Sequence, residues 1–313
     1  MAVNLIRFET EAGQRWGVVQ GTDVVPLSGD YPTTAELIER GENDWRSARG
    51  EVIALETLKL LSPVTAPCRI FCQGANYRRH MIESGLGPDT KAFNMFFTKS
   101  DAAIGPAVGV VRRPPHVTLL DYEIELALVF RRSISSPITV TLKTLRDYIF
   151  AATIANDISA RDVQLPQMQF FKGKSYRNFC PIGPWLTILE PSEFVLLDNL
   201  DLRLSVNGIL RQDDTTANFV FKPSETISEL STFANVAPGD VLLTGTPSGC
   251  ALRVPSPTVR RLLQLLPECK FWNLFVAAQN RRTEYLQPGD RVTATIHSPD
   301  GTIDLGKQVT TVF

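Results

Sequence analysis

The chain of 313 residues holds only three histidines, His80, His116 and His297. A metal centre built on imidazole is therefore not expected, and any metal chemistry falls to carboxylates. Cysteine is scarce as well. Cys68, Cys72, Cys180, Cys250 and Cys269 are odd in number and contain no C-x-x-C pair, which excludes a disulfide framework and a zinc knuckle and predicts the reduced thiols of a cytoplasmic protein. Charge of one sign is missing too: 32 Lys and Arg face 33 Asp and Glu, a net charge of -1. That leaves no electrostatic footprint for nucleic acid or for an anionic membrane surface. No apolar run is long enough to span a bilayer. The opening Met1-Ala2-Val3-Asn4-Leu5-Ile6-Arg7 lacks the charged-then-apolar layout of a signal peptide.

What is present is a hydrophobic content of 43%, enough for a large core in one big domain or in one big and one small. The most informative stretch is Asp121-Tyr122-Glu123-Ile124-Glu125-Leu126, which runs into Ala127-Leu128-Val129-Phe130. Alternate residues of a strand share a face, so Glu123 and Glu125 project side by side within an apolar run. Two carboxylates so placed away from water repel unless a cation or shared protons compensate, and a hard divalent ion is the simplest compensation. The competing reading places one of the pair at a solvated strand end beside an arginine.

Three short strands are expected over residues 3–8, 15–20 and 23–27, followed by a helix capped at Thr33-Thr34 and a second helix over 45–55. The proline-bearing stretch 61–67 reads as a linker, with a small N-terminal domain (1–62) before it and a larger one (63–313) after it. Further strands are expected at 69–72, 95–98, 108–111, 122–130 and 151–156, and a helix at 142–150. Asn207-Gly208 after an alternating run predicts a hairpin. Residues 223–233 predict a helix, with Thr226 and Glu229 at capping-box spacing. Pro238-Gly239-Asp240 recurs as Pro288-Gly289-Asp290, an echo too short to be a repeat. Residues 254–285 interrupt a strand-turn-strand run, with an amphipathic 259–266 segment, and read as a helical insertion.

Asp157 stands at the end of an apolar strand, where it is a third metal ligand or an ordinary turn aspartate. On sequence alone Lys174 reads as a surface lysine and His80 as a surface histidine. Thr244-Gly245-Thr246-Pro247-Ser248-Gly249 needs tight backbone turns but lacks the lysine of a P-loop.

Taken together, seven segments in order resemble the fumarylacetoacetate hydrolase family from about Arg69 to the C-terminus. They are Asn76–His80, Asp121–Leu126, Asn156–Asp162, Gly173–Ser175, Gly183–Trp185, Val206–Gly208 with Arg211-Gln212, and Pro238–Asp240 with Thr244–Gly249. The resemblance implies a mixed α+β, strand-rich fold with a β-roll or sandwich catalytic domain, and a homodimer. It implies Glu123, Glu125 and Asp157 as ligands of Mg2+ or Mn2+, with Ca2+ as a substitute, and Lys174 beside the ion. It implies His80 and Glu83 as a catalytic pair on a movable segment, the carboxylate orienting the imidazole. Arg161, Gln164, Tyr176 and Thr246 correspond to positions facing a small 2-oxo or 1,3-diketo acid. The implied reaction is hydrolysis of a C–C bond in such an acid, with oxaloacetate decarboxylation, isomerisation or hydration of a 2-oxo-dienoate, and a non-catalytic metal-binding role as alternatives. Departures from the family pattern are the 254–285 insertion and Lys99-Ser100 in place of a lysine-proline pair; neither removes a ligand.

Overall fold

The computed structural model describes residues 2–11, 13–83, 87, 93–255, 259 and 266–313. Two strands carry the centre of the structure, Ile124–Phe130 and Ile149–Asn156, and every residue of both is buried. Their near-continuous apolar sequence is what a strand covered on both faces requires. They pair antiparallel, with Ile124 opposite Asn156 and Glu125 opposite Ala155. On one side the sheet continues through Leu186–Ile188 to Val3–Thr10, Gly13–Gln20 and Asp23–Pro26. On the other it continues through Val241–Leu243 to Ile70–Gly74 and Met95–Lys99. The N-terminal meander is therefore hydrogen-bonded into the central sheet, Val3 lying opposite Ile188.

A second sheet of five strands runs in the order Ile209–Thr215, Asp201–Val206, Arg291–His297, Asp304–Val312, Val108–Val111. Its strand Asp304–Val312 packs on Ile149–Asn156 of the first. The expected hairpin forms there: Asn207 and Gly208 both have positive φ, 52° and 80°, the geometry of a type I′ turn. The strand-rich mixed α+β class is as the sequence predicts.

Two expected helices do not form. Residues 45–55 hold a short helix, Glu42–Ser47, and then a two-residue strand, Ile53–Ala54, which pairs with Asp23–Pro26. Residues 142–150 hold one 3-10 turn, Leu145–Asp147, before Ile149 joins its strand. In both places strand pairing outcompetes weak local helix propensity. The helix Thr34–Arg40 is capped as expected, Thr33 Oγ1 accepting from Glu36 N–H at 3.2 Å. The helix Pro223–Leu230 is capped differently: Glu225 accepts from Lys222 N–H at 2.8 Å, while Thr226 is buried inside the helix. Within 254–285 a helix spans Glu268–Gln279; most of the amphipathic 259–266 segment lies outside the described residues.

The connectivity gathers the chemistry at one end of the central sheet. Ile124–Phe130 begins where its neighbours Ile149–Asn156 and Val241–Leu243 end, and Ile70–Gly74 runs parallel to Val241–Leu243. Residues 123–125, 157–164, 244–250 and 75–83 consequently meet there.

Candidate active site

Glu123 and Glu125 straddle the first residue of the central strand. Asn156 Oδ1 accepts from Glu123 N–H at 2.9 Å, and Glu123 C=O accepts from Asp157 N–H at 2.8 Å. These bonds extend the pairing past the end of the regular ladder and bring Asp157 alongside the glutamates. Glu123, Glu125 and Asp157 are all buried, and each offers an oxygen within 4.8 Å of the other two. The reading in which one glutamate reaches solvent is thereby excluded.

Three buried cations surround the three carboxylates. Lys174 Nζ bridges Glu123, at 2.9 Å, and Asp157. Lys99 Nζ donates to Asp157 and to the Phe179 carbonyl at 2.9 Å. Arg161 donates through Nε to Asp121 at 2.9 Å, through Nη2 to Glu123, and through Nη1 to Gln164 Oε1 at 2.9 Å. Lys174 is thus a buried member of the cluster, not a surface lysine. Burial alone would raise the Glu123 pKa, but Lys174 and then Arg161 overcome it and hold the carboxyl well below the usual range. No lysine or arginine among the described residues is paired with Glu125: burial, then Asp157 and Glu123, push its pKa well above 4.5 against a smaller pull from Lys174. Among the described residues its close donor is Gly245 N–H, at 2.6 Å on Oε2.

That donor explains the glycine-rich turn. Gly245 has φ of +90°, and a Cβ there would lie 2.8 Å from Asn76 Cβ, so only glycine brings this amide onto Glu125. The turn is pinned to the glutamate strand by Thr244 Oγ1 on Leu126 C=O at 2.8 Å and by Thr246 Oγ1 on Ile124 C=O at 2.9 Å. Gln212 locks all three pieces together: its Oε1 accepts from Ile124 N–H at 3.0 Å, and its Nε2 donates to Thr246 Oγ1 at 2.9 Å.

A cavity of about 320 Å³ opens above the cluster. Glu123, Glu125, Arg161, Gln164, Lys174, Thr246 and His80 reach it; Gln73, Gly74, Ala75, Met95, Phe97, Leu165, Phe170, Leu252 and Val254 complete its wall. His80 is half-buried on the short helix Arg78–Glu83, with Nδ1 toward Cys250 Sγ at 4.0 Å. Burial lowers its pKa below 6.5, against a smaller opposing pull from Glu123, so the ring is neutral at neutral pH.

Two expected residues sit elsewhere. Glu83 does not orient His80: its Oε2 accepts from Gly249 N–H at 3.1 Å and from Arg253 Nη1 at 3.3 Å, and no hydrogen bond joins the two among the described residues. Tyr176 lines a separate groove of about 930 Å³ with Arg7, Arg112 and Phe313, its hydroxyl 2.9 Å from His116 Nε2. Lys99 and Asp121 are the partners that sequence reasoning missed. Lys99 was legible only as the lysine of the Lys99-Ser100 pair that replaces the family's lysine-proline pair, with no role at the site, and Asp121 as the third acid of its motif.

A buried triad of carboxylates, framed by lysines and an arginine beneath a cavity, is a group of hard oxygen donors that could hold a divalent cation. The comparisons place it: the model described as fumarylacetoacetate (FAA) hydrolase C-terminal matches residues 69–313, and one described as Rv2993c-like, N-terminal matches residues 4–63. This chain belongs to the fumarylacetoacetate hydrolase family.

Among its relatives, the oxaloacetate tautomerase YisK of Bacillus subtilis is 38% identical over 198 residues, covering 63% of this chain and 64% of that protein. The chain thus spans just under two thirds of that relative. The mitochondrial oxaloacetate tautomerase fahd2 of Xenopus laevis is 34% identical over 267 residues, 80% of this chain and 81% of that protein. Among solved structures, the fumarylacetoacetate hydrolase of Exiguobacterium antarcticum superposes with a TM-score of 0.76 at 26% identity, covering 99% of both chains. No helix among the described residues is long and apolar enough to cross a membrane.

Proposed function

We propose that this chain is a divalent-metal-dependent enzyme that interconverts the keto and enol forms of a 2-oxo acid. The donor set of three clustered carboxylates suits Mg2+ or Mn2+. The raised pKa of Glu125 marks the point where the cluster is short of positive charge. When bound there, the cation supplies Lewis acidity to the carboxylate and carbonyl oxygens of the substrate and offsets charge on the C2 oxygen. Lys174 and Arg161 hold Glu123 ionised and fix its two oxygens in place. His80 is the neutral base of the cavity. With Nδ1 turned to Cys250, Nε2 is left to take a proton from C3 and return it to the C2 oxygen.

The observation that favours tautomerisation over hydrolysis is the placement of Glu83. Hydrolysis needs a water activated by an oriented base, and Glu83 is held by Gly249 and Arg253, away from that duty. A proton shift within the substrate needs only a base at hydrogen-bond reach. The names of the two relatives above support the same reading. The second reading, hydrolysis of an acylpyruvate C–C bond, is favoured by the cavity itself, since about 320 Å³ leaves room for a water beside a five-carbon acylpyruvate. The test follows the enol absorbance of oxaloacetate and of acylpyruvates with Mg2+-loaded protein, together with pyruvate release. Faster enol–keto equilibration without cleavage supports the tautomerase; stoichiometric pyruvate and acid from an acylpyruvate supports the hydrolase.

A further inference from the structure

The helix Glu268–Gln279 lies within the segment 254–285, and its last residue reaches back to the wall of the cavity. Phe275 and Gln279, four residues apart, share its buried face. The Gln279 side chain brackets the backbone of Arg253: Nε2 donates to its carbonyl at 2.8 Å, and Oε1 accepts from its N–H at 3.4 Å. A backbone N–H only donates and a carbonyl only accepts, so the amide fits one way round. Oε1 also accepts from the buried Tyr285 hydroxyl at 2.8 Å, a third bond that holds the amide in place.

Arg253 stands between two residues of the cavity wall, Leu252 and Val254. The backbone just before it is tied to the carboxylate cluster, Asp121 accepting from Ala251 N–H at 2.7 Å and from Leu252 N–H at 3.1 Å. Its side chain folds back over this turn, Nη1 donating to Cys250 C=O at 3.1 Å, and goes on to Glu83 Oε2 at 3.3 Å. Glu83 closes the helix Arg78–Glu83 that carries His80, and a helix of six residues is too short to hold itself in place. The Arg253–Glu83 pair alone is a weak tether, because the two side chains are 42% and 33% exposed and water screens them. What fixes its position is the buried bracket that Gln279 places on the backbone of Arg253.

We propose that Gln279 is a positioning residue for His80, and that the segment 254–285 takes part in the reaction through it. This rests on the reading of His80 as the base given above and extends it to a side chain that is not among the residues lining the cavity. With the bracket in place, Gly249 N–H and Arg253 hold Glu83 together, and the short helix keeps the His80 ring in one place over the cavity. Without it Arg253 shifts with its backbone, Gly249 alone holds Glu83, and the ring spends less time within reach of the C3 proton. Small displacements of a base cost large factors in rate.

A double-mutant cycle tests it. Enol-to-keto conversion of oxaloacetate is followed with Mg2+-loaded full-length protein in wild type, Gln279→Ala, His80→Ala and the double variant, beside Mn2+ titration and urea unfolding. The expected result is a fall in kcat of about tenfold in Gln279→Ala, with Mn2+ affinity unchanged. In the His80→Ala background the same substitution should change kcat by less than about twofold, because the base it positions is gone. A role in stability alone would lower kcat equally in both backgrounds. Tyr285→Phe removes one donor from the amide and leaves the bracket on Arg253. It should give a smaller fall, about threefold, that also disappears with His80→Ala, and this cycle decides the matter where Gln279→Ala does not fold. An unchanged kcat in the folded variant, or an equal fall in both backgrounds, overturns the positioning role while His80 stands as the base. Turnover in His80→Ala at the wild-type rate, or no acceleration by the wild type, overturns the base assignment and this inference with it.

Discussion

Lys99 offers a sharp test of how the carboxylate cluster is held together. Its side chain and that of Asp157 are both fully removed from solvent. The ammonium also serves the carbonyls of Phe179 at 2.9 Å and Ile158 at 3.4 Å. Lys99→Met keeps the volume and removes the charge, leaving Asp157 with Lys174 as its cationic partner among the described residues and the Ile158 carbonyl without its donor, while Phe179 C=O keeps Ile158 N–H at 3.1 Å. Breaking a buried ion pair from one side costs roughly 3–5 kcal/mol. For a chain of this length that corresponds to a fall in Tm of roughly 5–8 °C. The assay is urea unfolding of chelator-treated protein, with the m value unchanged from wild type. Asp157→Asn in the Lys99→Met background removes the stranded charge. The double variant should therefore be more stable than the sum of the single losses, by a coupling of roughly 0.5–3 kcal/mol. A loss below about 1 kcal/mol in Lys99→Met, or strict additivity in the double variant, refutes the reasoning.

His80→Ala should lower kcat by roughly a hundredfold or more while leaving Mn2+ affinity unchanged by titration. In the wild type, kcat/KM should rise with pH through the His80 pKa, which burial places below 6.5, and then level off, because only the neutral ring accepts a proton. Glu125→Gln should abolish Mn2+ binding in an equilibrium titration at concentrations that saturate the wild type, since it replaces one of three clustered carboxylates by a neutral amide. Gln212→Ala leaves Ile124 N–H buried without an acceptor and frees the glycine-rich turn. The expected loss is about 1–3 kcal/mol in urea unfolding together with a raised KM.

The central strand and its acids were legible because a strand buried on both faces leaves an apolar run in which two glutamates stand out. The same logic put Asp157 at the end of a strand, and the Asn207-Gly208 turn announced its hairpin through backbone chemistry alone. What was not legible depended on partners distant in sequence. The helices expected at 45–55 and 142–150 gave way to strands that pair with Asp23–Pro26 and Ile124–Phe130, pairings that local propensity does not encode. Lys99 becomes a site residue only because Met95–Lys99 folds beside Asp157, 58 positions away. Glu83 has the spacing to reach His80 along one helix face, yet Gly249 and Arg253, more than 160 residues downstream, capture it first. Tyr176 follows Lys174 by two residues beyond the end of the helix Phe170–Lys174 and so turns into a different groove.

The most direct measurement strips the protein with chelator and follows conversion of enol to keto form for oxaloacetate and 3-phenylpyruvate, with and without added Mg2+, in wild type and Glu125→Gln. The expected result is no acceleration in stripped wild type, full recovery on adding Mg2+, and none in Glu125→Gln at any Mg2+ concentration. An undiminished rate in the stripped protein, or in Glu125→Gln, contradicts the assignment of Glu123, Glu125 and Asp157 as the metal site on which the chemistry depends.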